Sequence, residues 1–178
     1  MTSRKWCIVL VAVLLVTNGV TLGLLIQSSH SNDKLLESGK AWEAFTLNGM
    51  GQNWQVNDYK MIRTASSIYR GNGSLTYLGD PQNIEKSTYF SYTFYEKQAG
   101  KPRPVLSHTE SSVNGPVAIL ENVKHLGSIQ GAPSDWELEE TSQDLGNSYV
   151  EIKWKDNLSK LHMENIPLSV TEEYSSME

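Results

Sequence analysis

Cysteine is all but missing from this chain: Cys7 is its one thiol, and residues 27–178 contain none. No intrachain disulfide can form, so any folded domain must be held by its own core. A small exported domain from a eukaryote more often carries such a bridge. A disulfide-free domain behind a short basic tip therefore reads as bacterial and Gram-positive. In that setting the sequons at Asn72 and Asn157 signify turn chemistry and not glycosylation.

Clustered positive charge is also lacking. The chain total is −5, and setting aside the two charges of Arg4 and Lys5 leaves −7 for the rest. The densest basic pair in that remainder is Lys101 and Arg103. A net negative field without a basic patch argues against nucleic acid as a partner. Catalytic signatures are missing too: there is no G-x-S-x-G elbow, no H-E-x-x-H and no phosphate-cradling loop. Gly71, Gly73 and Ser74 suit a hairpin turn, because no helical pattern follows them. The four histidines stand at 30, 108, 125 and 162, none at metal-ligand spacing from another. His108 and Glu110 share a strand face at i, i+2, but a zinc site needs three or four converging ligands. No catalytic residue, cofactor or metal ligand is assigned, and the chain is read as a non-enzyme.

One long apolar run is present. Residues 6–26 hold no charge over 21 positions and follow directly on Arg4 and Lys5. As a helix this run would be roughly 32 Å long, enough to cross a bilayer core. A cleaved signal peptide is the alternative, with a cut after Gly19 or Gly23. Either cut would leave an apolar new N-terminus, and the run exceeds the 7–15 residues a signal core needs, so a retained anchor is expected. Cys7 lacks the lipoprotein pattern before it and reads as an apolar lining residue. The basic residues in front of the span place residues 1–5 in the cytoplasm and the C-terminal domain outside the cell membrane. Gly19 and Gly23 form a GxxxG pair beside Asn18, a candidate face for homo-oligomer formation through the span.

Beyond the span, residues 27–52 read as a juxtamembrane linker. Leu35, Trp42 and Phe45 fall at helical spacing within it, which predicts a short helix. From about residue 53 the apolar period becomes two. Phe90, Tyr92 and Phe94 alternate with Tyr89, Ser91, Thr93 and Tyr95, and Val150, Ile152 and Trp154 alternate with Glu151, Lys153 and Lys155. Asp156 and Asn157 supply a turn, and Ile166, Leu168 and Val170 predict a returning strand. Further strands are expected at 54–63, 73–78, 105–111, 117–123 and 126–130. Seven or eight short strands in this span fit an all-β, antiparallel sandwich of immunoglobulin-like type over residues 53–170, without the Cys-Trp-Cys spacing of true immunoglobulin domains. Residues 171–178 are polar and acidic and read as a flexible tail.

Four stretches carry a family likeness: 54–63 (WQVNDYKMIR), 71–80 (GNGSLTYLGD), 88–97 (TYFSYTFYEK) and 150–157 (VEIKWKDN). In layout the chain resembles small, N-terminally anchored β-sandwich proteins of low-GC Gram-positive bacteria. Such proteins generally have no assigned activity, so the likeness implies a location and no chemistry.

The segment 131–147 differs in kind. Asp135, Glu137, Glu139, Glu140 and Asp144 are acidic, no basic residue intervenes, and Trp136 lies among them. Long loops on sandwiches often bear function, which makes Asp135, Trp136, Glu137, Glu139 and Glu140 a candidate partner-binding set. The expected role is a single-pass protein presenting its sandwich to a protein partner. The alternative is capture of cell-wall glycan by flat rings, with Tyr89, Tyr92, Tyr95 and Trp136 as candidates.

Overall fold

The computed structural model describes residues 40–98 and 100–177. They form ten strands in two antiparallel sheets: β1 (Lys40–Met50), β2 (Trp54–Thr64), β3 (Ile68–Gly71), β4 (Ser74–Tyr77), β5 (Tyr89–Gln98), β6 (Lys101–Ser111), β7 (Ser128–Gly131), β8 (Tyr149–Lys155), β9 (Leu161–Pro167) and β10 (Ser169–Met177). Short helical turns occur at Pro81–Asn83 (3₁₀), Ile119–Asn122 (α1), Asp135–Glu139 (α2) and Ser142–Leu145 (α3). The six-stranded sheet runs β10-β1-β2-β3-β7 with β4 also paired to β2, and the four-stranded sheet runs β6-β5-β8-β9. The fold class is therefore all-β. An immunoglobulin order would send the third strand to the opposite sheet, whereas here β3 and β4 both stay beside β2.

The alternation of β5 and β8 is realised as expected. Phe90, Tyr92 and Phe94 are buried, as are Val150, Ile152 and Trp154, and the two strands pair Phe90 with Trp154 and Phe94 with Val150. β2 faces them with Trp54, Val56, Tyr59 and Met61, all buried. The step from Val56 to Tyr59 is three residues because Asp58 sits at φ 54, a bulge that resets the alternation. Ring contacts then knit the sheets together. Trp54 lies 5.4 Å from Phe90 and 5.8 Å from Trp154, and Tyr59 stacks on Phe94 at 4.1 Å. At Gly71, φ is +131 and an added Cβ would lie 2.2 Å from the Gly127 carbonyl. Only glycine allows that approach, and the resulting bend lets β3 and β4 follow each other along one edge of β2.

Three expected boundaries are corrected. The helix read around Trp42 and Phe45 is, over its described part, the strand β1, paired with both β2 and β10. Its true period is two: Glu43, Phe45 and Leu47 are buried, and the spacing of Trp42 and Phe45 only imitated a helix. The region 27–52 is thus not linker throughout, since the folded domain includes residues from Lys40. The tail read at 171–178 belongs to β10 as far as Met177. Its polar composition is that of an edge strand, held by backbone pairing to β1 and not by burial. The strand expected at 117–123 contains α1 instead, where Ile119 and Val123, four apart, share the buried side of one turn.

Between the sheets, a cavity of about 10 Å³ is lined by Tyr59, Phe94, Glu96 and Ser148 among others. That is room for one water and far below the several hundred Å³ of a small-molecule site.

Candidate functional site

The acidic segment is not an open loop. Ser134 donates its backbone N–H (2.7 Å) and hydroxyl (2.5 Å) to Glu137 Oε2, closing the start of α2, and Thr141 does the same with Asp144 at α3. The other Glu137 oxygen accepts from Arg70 Nη2 at 2.6 Å. Arg70 also grips Glu96 with two bonds, Nε to Oε1 at 2.7 Å and Nη2 to Oε2 at 2.6 Å. Beside it Arg63 donates to the Glu43 carboxylate, to the Glu137 carbonyl and, at 2.8 Å, to the Glu140 carbonyl. Arg63, Arg70, Glu43, Glu96 and Glu140 are all buried. The segment is a clasp, drawn onto the sandwich by two arginines that β2 and β3 point inward.

The carboxylates of the clasp are not equivalent. Burial works to raise Glu137, yet its bonds from Ser134 and the adjacent Arg70 hold it below the usual carboxylate range. Burial pushes Glu96 up despite Arg70. Burial, reinforced by the nearby Glu96, pushes Glu140 up to about 8, and its side-chain oxygens have no hydrogen-bond partner among the described residues. Of the five residues singled out in the sequence, Glu137 and Glu140 thus face inward. Trp136 is half-buried with the Arg103 guanidinium 5.9 Å from its ring centre, and only Asp135 and Glu139 are exposed.

A more open site lies at the turn between β8 and β9. A concavity of about 320 Å³ is lined by Asn53, Tyr77, Asn83, Trp154, Asp156, Asn157, Leu158 and His162. Asp156 organises it, accepting from the backbone N–H of Leu158 (2.9 Å) and of Lys160 (3.0 Å) and lying 2.8 Å from His162 Nε2. His162 and these backbone donors hold Asp156 below its ordinary range. The His162 ring stacks on Trp154 at 5.2 Å and 16°. Asn157 ties the turn to the 3₁₀ segment, donating to the Gln82 carbonyl (2.5 Å) and accepting from the Lys86 N–H (2.8 Å). On this pinned hairpin Leu158 is 89% exposed, and Leu161 and Met163 follow at 57% and 59% along the edge strand β9.

The pair His108 and Glu110 is indeed brought together, Nε2 to Oε1 at 2.7 Å, beside a third concavity. Asn122 donates to the other Glu110 oxygen at 2.6 Å, and His108 stacks on Tyr92. Among the described residues no group of three or more His, Cys, Asp or Glu is arranged to hold a metal. Of the rings considered for sugar stacking, Tyr92 is removed: it is buried in the core and its hydroxyl donates to the Leu126 carbonyl at 2.6 Å. Tyr89 and Tyr95 are half-buried on the outer face, where Tyr95 stacks on Tyr149 at 4.9 Å.

Asn18, Gly19, Gly23 and the whole apolar run lie outside the described residues, and no described helix is long and apolar enough to cross a membrane. Comparison with protein-family models, with curated proteins and with solved structures finds no match.

Proposed function

We propose that this chain is a membrane-tethered recognition protein: residues 6–26 anchor it, and the sandwich meets a protein partner outside through the β8–β9 hairpin. One observation bears the weight of the second half. Leu158 is exposed at the tip of a hairpin whose backbone is fixed by Asp156 and Asn157 and lines a concavity wide enough for one partner side chain, while Leu161 and Met163 are exposed on the other face of β9, in register with Lys155 and Lys153. Apolar anchors on a rigid support beside a socket are the usual make-up of a contact hot spot, because little ordering entropy opposes binding. β9 is also an edge strand without Lys or Arg, and its one proline closes it at Pro167. Two other edges carry more charge or proline, β6 with Lys101, Pro102, Arg103 and Pro104 and β10 with Glu172 and Glu173. Glycan capture is the second reading, favoured by the half-buried Tyr77 among three asparagines and an aspartate in the same concavity.

Photo-crosslinking in intact cells separates these readings. A photoreactive residue at Leu158 or Met163 should give one discrete protein adduct, and the same probe at Val113, which is 97% exposed, should give none. Adducts to glycan alone would favour the second reading. Equal labelling from all three positions would defeat both.

A further inference from the structure

Across the six-stranded sheet one register row reads Tyr174, Ala44, Ile62, Tyr69 and Gln130, from β10 through β1, β2 and β3 to β7. Directly opposite partners in antiparallel strands share a face, and the opposite face of these strands is the one packed in the core, so this row points outward. The next row towards the start of β1 holds Ser176, Trp42 and Thr64. Within these rows Trp42 is 40%, Ile62 38% and Tyr174 56% exposed, and neither row contains a charged residue. One step the other way the face turns polar, with Glu172, Thr46 and Lys60 in register and Thr46 Oγ1 donating to Glu172 at 3.1 Å. Single exposed apolar residues need no explanation. An uncharged, aromatic-rich end with a sharp polar border is a different matter.

The position of that end is what identifies its occupant. β1 begins there at Lys40, and only thirteen residues separate Lys40 from Ile26, the last residue of the apolar run. Even fully extended, such a length spans at most about 45 Å, and as a random coil about 20 Å. Tryptophan and tyrosine favour the headgroup level of a bilayer, where an apolar ring body meets a polar tip. The overall charge of −5 does not oppose contact with uncharged lipid, because the carboxylates nearest on this face lie beyond the border at Glu172. We infer that the Trp42, Ile62, Tyr69 and Tyr174 end of the outer face rests on the interface of the membrane that anchors the chain, with zwitterionic lipid as its ligand. This rests on the tether reading above. It would lay the sandwich against the bilayer at this face.

The full chain in phosphatidylcholine vesicles tests it, with lipids brominated near the headgroup as contact quenchers. Trp6 lies in the apolar run, so a Trp6→Phe background removes its signal. Quenching in that background should be at least twofold that in Trp6→Phe/Trp42→Phe, and adding Ile62→Glu to the background should abolish the difference while the protein still floats with vesicles. Equal quenching with and without Trp42 would overturn the inference and leave the tether standing. So would shielding of Trp42 from acrylamide without bromolipid quenching, which would place a second protein surface there. Failure of the full chain to float would overturn the tether itself, and this contact with it.

Discussion

Replacing Arg70 with Met should destabilise the folded domain by about 3–5 kcal/mol at pH 7, the usual cost of stripping one partner from a buried ion pair. Glu96 is 2% exposed and accepts two side-chain bonds from Arg70, so the substitution leaves a charge in the interior stripped of its hydrogen-bonded partner. Glu137 loses one bond but keeps those from Ser134, which is why Glu96 dominates the loss. The penalty should shrink as pH falls. Burial already raises Glu96 above the usual range with the arginine present, and without it Glu96 is more easily protonated, which removes the unpaired charge. The double substitution Arg70→Met/Glu96→Met should recover most of the loss, since an apolar pair of similar volume often replaces a buried ion pair at little cost. Urea unfolding of the chain from Lys40 onward, at pH 5 and pH 7, measures all three. A loss below 1 kcal/mol for the single substitution would mean that the clasp is peripheral to the fold.

What could be read beforehand, and what could not, follows the range of the interactions. β5 and β8 were legible because the alternation of Phe90, Tyr92 and Phe94, or of Val150, Ile152 and Trp154, is a local signal reporting burial on one face. β1 was hidden because Trp42 and Phe45, three apart and on opposite faces of the strand, imitate a helical spacing, and its inward Glu43 disguised the strand period. Glu43 is buried against Arg63, twenty residues on. The returning strand at Ile166, Leu168 and Val170 was legible as apolar chain but not as two strands. The chain changes sheets at Leu168, whose N–H donates to Ser148 and which belongs to neither β9 nor β10. Within the clasp the local half was in plain view: Ser134 with Glu137, and Thr141 with Asp144, are helix-start spacings. The half that decides its role lay 67 and 77 residues away, in Arg70 and Arg63. Arg63 sits two residues beyond Met61 on the inward face of β2, and that register was the available clue.

Between about pH 4.5 and pH 8 the domain should lose stability as the pH rises, through Glu140. In the unfolded chain this carboxyl ionises near 4.5, whereas folded it keeps its proton up to about 8. Within that window the folded state binds more protons, so each unit of rising pH favours unfolding. At about 1.4 kcal/mol per unit the whole window is worth on the order of 3–5 kcal/mol. Glu96, also raised, adds to the same slope at its acid end. Glu137 has the opposite sign: its pKa is lowered on folding, so its contribution is complete above 4.5 and fades as the pH drops below. Stability should therefore peak in mild acid. The Glu140→Gln variant separates this carboxyl from the rest. Its amide leaves two N–H donors unpartnered where the protonated acid leaves one O–H, which should make it about 1 kcal/mol less stable than the parent near pH 5. It should become the more stable of the two by pH 9, where the parent must hold a charge in the interior. The clasp would be the first element to open there, because Glu140 follows α2 directly and its carbonyl is a contact of Arg63. Thermal unfolding of both proteins at pH 5, 7 and 9, with hydrogen exchange over residues 134–146 as the local readout, should show the two stability curves crossing. Parallel curves would show that Glu140 ionises alike in the folded and unfolded chain, and that the clasp carries no response to alkali.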